Sequence, residues 1–188
     1  MMWQVERMAI DGPLILRSKV FTDDRGSFME TYNERAFAAA TGMRIGFVQD
    51  NESISRKGVL RGLHFQLDPY AQGKLVRVTR GAALDVVVDI RPGSPTYGRH
   101  VKVRLDAVAK DMFWIPPGFA HGFLALEDDT VFAYKCTAYY HPAAERTIRW
   151  NDPDLAIDWG HADPIVSAKD RAGLPFNARW DRPDATQP

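Results

Sequence analysis

The sequence predicts an all-β protein, a single barrel or sandwich, from three observations. Short runs of β-branched and aromatic residues recur along the chain, as is typical of strands. Turn residues separate these runs, for example at 24–26, 80–81, 91–95 and 116–118, where glycine and proline provide the backbone angles that tight turns require. Helical patterning is confined to two short segments. Together these features favour a β-barrel or sandwich with peripheral helices.

The predicted strands are the apolar or alternating runs between those turns. A side-chain period of two indicates a half-buried strand, and a short continuous apolar run indicates a buried one. In chain order the predicted strands cover residues 14–21, 47–54, 59–66, 74–79, 83–90, 100–105, 112–115, 122–126, 131–140 and 146–150.

Two short helices complete the prediction. Residues 34–41 are helix formers that end at Gly42, and Asn33 stands at the N-cap position. Near the C-terminus, Ser167 precedes an acid by three residues at Asp170, which is the spacing of a capping box. We expect both helices to be accessories to the β core.

Composition predicts one soluble domain over residues 1–188. The 188 residues carry Lys+Arg 24 against Asp+Glu 24 and contain no Lys/Arg block, so the composition disfavours a nucleic-acid polymer as a partner. We find no signal peptide and no apolar run of the roughly 18 residues that a membrane span requires. The single cysteine, Cys136, indicates no disulfide. We therefore expect a cytoplasmic protein, with a loose tail at about 181–188.

A histidine in the predicted strand 59–66 is a candidate functional residue. Strict alternation places His64 on the face opposite Arg61, unless Gly62 forms a bulge that changes the phase of the strand. The sequence leaves both arrangements open. A lone histidine in an apolar strand is more often structural, so its neighbours decide how it is interpreted.

Other polar residues also fall on faces that the pattern predicts to be buried. Lys74 alternates with Val76 and Val78, so its ammonium group either enters the core or lies at the mouth of the strand. Tyr134 and Tyr140 share a face in the run 131–140, which is otherwise aromatic or small. That face is either an aromatic core stripe or the wall of a site that contains a phenol.

Residues 116–121 form a Pro-x-Gly-x-x-His motif that ends at His121, which is half of a cupin signature. Metal-binding cupins complete the ligand set with a His-x-His pair and a later glutamate. Here the pair is His64 and Gln66, with phenylalanine between them, and the glutamate is absent. We therefore predict no catalytic metal.

Ten motifs in order carry a close resemblance to one family. They are residues 24–26, 47–51, 58–66, 72–78, 85–89, 93–98, 115–123, 134–135, 149–153 and 167–170. From about residue 24 to 170 the chain resembles the dTDP-4-dehydrorhamnose 3,5-epimerases. The resemblance implies a cupin-like β-barrel or jelly roll and an enzyme that acts on a thymidine-diphosphate sugar without a cofactor.

The resemblance also implies four catalytic residues. His64 corresponds to the general base that removes a proton beside the C4 ketone, and Asp170 to the residue that orients it. Lys74 corresponds to a cation beside the C4 oxygen, where it stabilises the enolate. Tyr134 corresponds to the acid that returns a proton from the opposite face, as inversion requires.

A second implied set binds the nucleoside diphosphate, for which arginine side chains are well suited. Tyr140 corresponds to the residue that stacks on the thymine. The remaining members are Arg25, Glu30, Gln49, Asn51, Arg61, His121, Glu145 and Lys169. The resemblance further implies a homodimer that exchanges N-terminal strands, through which Arg25 or Glu30 reaches the neighbouring site.

Three alternatives to a 3,5-epimerase stay open at this point. The first is an epimerase that inverts C3 alone, for which the base and the lysine are much the same. The second is a cupin that binds a sugar nucleotide without catalysis, which leaves the combination of His64, Lys74, Tyr134 and Asp170 unexplained. The third is a metal-dependent cupin oxygenase, which the missing His-x-His pair disfavours.

Overall fold

The structure, a computed structural model, describes residues 3–180 as two facing antiparallel sheets and one separate hairpin. Strands are numbered in chain order. The six-stranded sheet consists, from edge to edge, of β1 (Trp3–Arg7), β2 (Leu14–Ser18), β10 (Met112–Ile115), β7 (Lys74–Arg80), β12 (Thr130–Cys136) and β5 (Gln49–Ser55). The five-stranded sheet consists of β13 (Glu145–Thr147), β6 (Leu60–Gln66), β11 (Phe119–Ala125), β8 (Ala82–Asp89) and β9 (His100–Asp106).

The remaining elements lie outside these sheets. Strands β3 (Val20–Asp23) and β4 (Gly26–Met29) pair only with each other. Helix α1 (Glu34–Thr41) begins after Asn33, whose side chain accepts a bond from the Ala36 amide, and ends at Gly42 in the left-handed conformation. Helix α2 (Ala168–Arg171) is capped by Ser167, and a 3-10 turn covers Pro142–Ala144. Both predicted helices and the all-β, cupin-like jelly roll are confirmed.

The main core fills the space between the two sheets. Strands β7, β10 and β12 contribute Val76, Phe113 and Phe132, and the facing strands contribute Val87 and Phe123, all with at most 4% exposure. Phe123 and Phe132 stack across the sheets with ring centroids 4.0 Å apart. Burial of each such side chain contributes roughly 1.5–3 kcal/mol. This packing fixes the distance between the two walls that frame the site.

Each sheet is also covered on its outer face. Helix α1 packs Phe37 edge-to-face on Trp3 and Trp114 of the six-stranded sheet. The C-terminal segment packs Leu155 and Trp159 on the outer face of the five-stranded sheet. Apolar side chains on both faces explain why strands such as β8 appear as nearly continuous apolar runs.

Several predicted boundaries were wrong. The run 14–21 is two strands, β2 and β3, and the run 131–140 ends as a strand at Cys136. Strand β11 begins at Phe119, so His121 lies inside a strand rather than before one. Strands β1 and β4 were not predicted. The predicted tail at 181–188 lies outside the described residues. Within 3–180, no helix has the length and apolar character to cross a bilayer.

Candidate active site

A β-bulge at Gly62 brings Arg61 and His64 to the same face of β6. His121 of β11 pairs with His64, and Phe123 pairs with Arg61. Between these two pairs β6 advances by three residues while β11 advances by two, so β6 carries one extra residue. Gly62 has φ +137°, and a Cβ there would lie 2.5 Å from the Gly122 Cα. Only glycine fits this crossing. The alternation rule alone was therefore wrong for this strand, and the bulge alternative is confirmed.

His64 is held by a carboxylate from helix α2. Its Nε2 lies 2.5 Å from Asp170 Oδ1, and the Asp170 side chain is 4% exposed. Burial opposes ionisation of Asp170, but the contacts with His64 and Ser167 outweigh burial and hold the pKa of Asp170 below its ordinary value. The ionised carboxylate fixes the ring through Nε2, which leaves Nδ1 for a ligand.

Lys74 and Tyr134 lie on the opposite wall, on the adjacent strands β7 and β12. Lys74 shares the inward face with Val76 and Val78, and its Nζ lies 5.9 Å from the centroid of the Tyr134 ring. Burial lowers the pKa of Lys74, and no carboxylate of the described residues forms an ion pair with it. Burial also raises the pKa of Tyr134, which keeps its phenol protonated at neutral pH. This wall therefore presents an ammonium group without an ion-pair partner among the described residues, beside a proton donor.

A second histidine–carboxylate pair lies beside the first. His121 Nε2 is 2.9 Å from Asp85 Oδ2, and both residues are buried. Burial lowers the pKa of His121, and the nearby Lys74 and His64 act in the same direction against the attraction of Asp85. The second oxygen of Asp85, Oδ1, is buried without a hydrogen-bond partner. His121 thus stands next to His64 on the five-stranded wall with a fixed ring orientation.

These groups line one continuous cleft between the sheets. An inner cavity of about 510 Å³ and an outer cavity of about 270 Å³ share His64, Lys74 and Tyr134. The inner cavity is lined further by the predicted site residues Arg61, His121, Lys169 and Asp170. The outer cavity is lined further by the predicted residues Gln49, Asn51, Tyr140 and Glu145. Eleven of the thirteen predicted site residues therefore meet in a single cleft.

A hydrogen-bonded group of three residues borders the outer cavity. Glu145 accepts from the Tyr140 hydroxyl at 2.7 Å and pairs with Lys169 Nζ at 2.6 Å. Burial opposes the charge on Glu145, but the contacts with Lys169 and Tyr140 outweigh it and lower the pKa of the carboxylate. Tyr140 itself is 51% exposed and lies beyond the end of β12. The prediction that Tyr140 shares a strand face with Tyr134 was therefore wrong.

Amide and guanidinium groups at the cleft are oriented by their neighbours. Gln49 donates to Asn51 at 3.0 Å and accepts from the Tyr140 backbone amide at 2.8 Å. Arg61 Nε donates to the Ser55 hydroxyl at 3.1 Å. Arg61 is exposed, so its guanidinium stands at the solvent side of the inner cavity.

Arg25 and Glu30 lie away from the cleft of their own chain. Arg25 is on the β3–β4 hairpin, where its side chain is 90% exposed and pairs only with Asp23 among the described residues. Glu30 accepts from the Asn33 side chain at 3.1 Å near the start of α1.

Two buried polar residues of the site escaped the sequence reasoning. Asp85 is 0% exposed beneath His121, and Gln66 is 8% exposed at the end of β6. The sequence offered one signal for Asp85, because a carboxylate beside a run of valines is expected to be buried and buried carboxylates usually have a partner. Among residues 3–180, no three His, Cys, Asp or Glu side chains are grouped so as to hold a metal ion.

Comparison with known proteins places this geometry in context. A family model described as dTDP-4-dehydrorhamnose 3,5-epimerase matches residues 7–178. A dTDP-4-dehydrorhamnose 3,5-epimerase of Pseudomonas aeruginosa is 53% identical over 171 residues, which are 90% of this chain and 94% of the relative. The dTDP-6-deoxy-D-glucose-3,5-epimerase of Legionella pneumophila, solved with dTDP-4-keto-L-rhamnose, is 47% identical with a TM-score of 0.90 and 93% coverage of both chains. A 3'-monoepimerase of Streptomyces bikiniensis, solved with dTDP-quinovose, is 35% identical with a TM-score of 0.85, and covers 90% of this chain and 86% of its own.

Proposed function

The chain belongs to the dTDP-4-dehydrorhamnose 3,5-epimerase family, and from that premise we propose how its own cleft performs the reaction. The proposed substrate is dTDP-4-dehydro-6-deoxy-D-glucose, and the product is dTDP-4-dehydro-L-rhamnose, an intermediate in dTDP-L-rhamnose biosynthesis. At C3 and at C5 in turn, a proton beside the C4 ketone is removed and another is returned to the opposite face. The net reaction is an isomerisation, so no atom is gained or lost.

His64 is the proposed general base. Imidazole suits proton transfer near neutral pH, and the bond from Nε2 to Asp170 leaves Nδ1 free to take the proton. Asp170 then stabilises the imidazolium that forms, because an ionised carboxylate at 2.5 Å is paired with a full positive charge. The helix α2 therefore contributes to catalysis through the orientation of His64.

Lys74 is the proposed stabiliser of the enolate. Negative charge moves to the C4 oxygen when the proton leaves, and a fixed cation in a site that excludes water lowers the energy of that charge. Lys74 lines both cavities and forms no ion pair with a described carboxylate. The same cation accounts for the reaction without a cofactor, so we propose neither a cofactor nor a metal.

Tyr134 is the proposed acid, and its position relative to His64 is the observation that carries the proposal. His64 belongs to the five-stranded sheet and Tyr134 to the six-stranded sheet, so the two side chains line one cavity from opposite walls. A sugar ring held between the sheets would present one face to each. Removal of one proton by His64 and delivery of a different proton by Tyr134 would then invert the stereocentre. His64 then loses a proton to solvent and Tyr134 takes one up, which restores both groups for the second centre.

The remaining cleft residues are proposed to bind the nucleoside diphosphate. Arg61, His121 and Lys169 supply donors around the inner cavity, and such groups suit diphosphate and sugar oxygens. Tyr140, with Gln49, Asn51 and Glu145 around it, borders the outer cavity and is proposed to stack on the thymine.

The active form is proposed to be a homodimer in which Arg25 and Glu30 complete the partner's site. The β3–β4 hairpin joins neither main sheet, and Phe21 and Phe28 are 47% and 70% exposed on it. An isolated hairpin with exposed aromatic rings is marginally stable by itself and gains stability by packing on another surface. Light scattering should give twice 21.2 kDa for the wild type, and Phe28→Asp should shift the protein toward monomer. A monomeric wild type would contradict the dimer.

We also propose where the enzyme is located and how many domains it has. We propose a cytoplasmic enzyme, since the single cysteine, Cys136, is buried and unpaired and nucleotide sugars are its proposed substrates. We propose that residues 1–188 form one domain, because the described C-terminal segment packs Leu155 and Trp159 directly on the five-stranded sheet.

Deuterium exchange tests the proposed function. The protein is incubated with dTDP-4-dehydro-6-deoxy-D-glucose in heavy water, and label at C3 and C5 is followed by NMR. Label at both carbons supports the 3,5-epimerase. Label at C3 alone would identify a C3 epimerase, the activity named for the Streptomyces bikiniensis neighbour. No label at either carbon would reject the acid–base assignment and favour a protein that only binds sugar nucleotides.

A further inference from the structure

Tyr140 sits on a segment that is held by side chains rather than by a sheet. Residues 137–141 connect the end of β12 to the 3-10 turn. The Ala138 carbonyl accepts from Gln72 Nε2 at 2.7 Å, and the Tyr140 amide donates to Gln49 Oε1 at 2.8 Å. The Thr137 amide still donates to the Gly73 carbonyl at 3.0 Å. From Ala138 onward the chain is no longer part of β12, so these side-chain bonds replace strand pairing there.

Gln66 makes the largest contribution to this arrangement. Its Nε2 donates to the Tyr139 carbonyl at 3.2 Å and to the Tyr70 carbonyl at 2.7 Å. Its Oε1 accepts from the His141 amide at 2.7 Å. Gln66 thus hydrogen-bonds the backbone on both sides of Tyr140 and links this segment to the turn that precedes β7. Both hydrogens of its amide group are used, and its oxygen is engaged as well.

The Tyr140 ring depends on its backbone for position. It is 51% exposed, and its one side-chain hydrogen bond among the described residues is the hydroxyl contact with Glu145. An exposed ring with a mobile backbone would lose conformational entropy on stacking, which weakens binding. A backbone fixed in advance removes part of that cost.

We propose that Gln66 is a positioning residue that fixes Tyr140 for stacking on the nucleobase. The inference rests on the proposed function, because it takes Tyr140 as the stacking residue. Gln66 lies two residues after His64 on the same face of β6. One strand thereby carries both the proposed base and the residue that orders the backbone around Tyr140.

The first experiment measures binding of dTDP by calorimetry and steady-state kinetics for Gln66→Met. Methionine has a similar length but leaves the Tyr139 carbonyl and the His141 amide without their partners. We expect the Kd for dTDP and the KM to rise about tenfold, within the range that loss of one stacking contact spans, with kcat changed less than about twofold. Gln66→Glu keeps the acceptor for His141 but sets its second carboxylate oxygen against the Tyr70 and Tyr139 carbonyl oxygens, so it should lose at least as much affinity as Gln66→Met. Gln4→Met, at an exposed position of the edge strand β1, makes the same chemical change away from the cleft and is the control.

A double-mutant cycle with Tyr140→Ala separates positioning from general structure. If Gln66 acts through Tyr140, Gln66→Met should change the dTDP Kd by less than about twofold in the Tyr140→Ala background. An equal loss in both backgrounds, a parallel fall in kcat, or wild-type affinity in both Gln66 variants would overturn the inference. Wild-type protein that fails to bind dTDP would instead overturn the proposed function, and the inference with it.

Discussion

Replacement of Asp170 by asparagine should slow proton abstraction while leaving nucleotide binding largely intact. The substitution keeps the shape of the side chain but removes the charge that faces His64 Nε2 at 2.5 Å. Asp170 is 3% exposed, so little solvent can replace the lost interaction. A hydrogen bond to a charged group contributes about 1.5–3 kcal/mol, and about 1.4 kcal/mol corresponds to a tenfold change in rate. We therefore expect kcat for Asp170→Asn to fall by about 10- to 150-fold.

The assay is the rate of deuterium entry at C3 under saturating substrate, with the dTDP Kd measured in parallel. The Kd should change by less than about threefold, since the proposed role of Asp170 lies in the transition state. Asp152→Asn is the control, because Asp152 is an equally buried carboxylate of the C-terminal segment that bonds the Asp154 and Phe176 amides. It should lower thermal stability with kcat preserved. Wild-type kcat in Asp170→Asn, or an equal loss of kcat in the control, would refute the reasoning.

Three further predictions follow from burial and backbone geometry. Lys74→Met should lower kcat by about 10²–10³-fold. In the wild type, kcat should fall as the pH rises and should do so below pH 10.5, because burial lowers the pKa of Lys74 and the neutral amine cannot stabilise the enolate. Both effects are measured in kcat–pH profiles, and an unchanged kcat in the variant would contradict the proposed role of Lys74. Gly62→Ala places a Cβ 2.5 Å from the Gly122 backbone, so it should destabilise the fold more than Gly93→Ala, where φ is also positive but the space is open. At Gly93, backbone strain alone should lower the free energy of unfolding by about 1–3 kcal/mol. Equal melting temperatures for the two variants would contradict this. Hydrogen bonds from Arg91, Ser94 and Thr96 outweigh burial and lower the pKa of Asp89, so the ionised carboxylate stabilises the fold above its ordinary pKa and this stabilisation is lost as the pH falls. Asp89→Asn should therefore weaken the dependence of the melting temperature on pH in the acid range. An unchanged dependence would show that Asp89 does not contribute to it.

The order of the strands was predictable where the sequence carries local signals. Glycine and proline turns separate most strands, and Asn33 and Gly42 delimit helix α1 as expected. The division between β2 and β3 at Lys19 carries no such signal. The β3–β4 hairpin pairs only with itself among the described residues, and no local pattern in residues 20–29 predicts that separation from the main sheets.

Eleven of the thirteen predicted site residues lie in one cleft, but the geometry of that cleft was not predictable. The phase of β6 depends on a close crossing of Gly62 with Gly122, two residues far apart in the sequence, so alternation could not decide it. The partners of Gln66 are backbone atoms at positions 70, 139 and 141, which no side-chain pattern reveals. Long-range contacts of this kind become visible only in the folded structure.

The central claim is that His64 and Tyr134 act on opposite faces of the sugar, and a stereochemical exchange experiment tests it most directly. Tyr134→Phe and His64→Asn are each incubated with substrate in heavy water, and label and configuration at C3 are resolved by NMR. The account predicts that Tyr134→Phe exchanges deuterium with retained configuration, because His64 can still remove and return a proton on its own face. It predicts no label in His64→Asn, while dTDP binding persists in both. Inverted product from Tyr134→Phe, or label in His64→Asn, would contradict the two-wall mechanism.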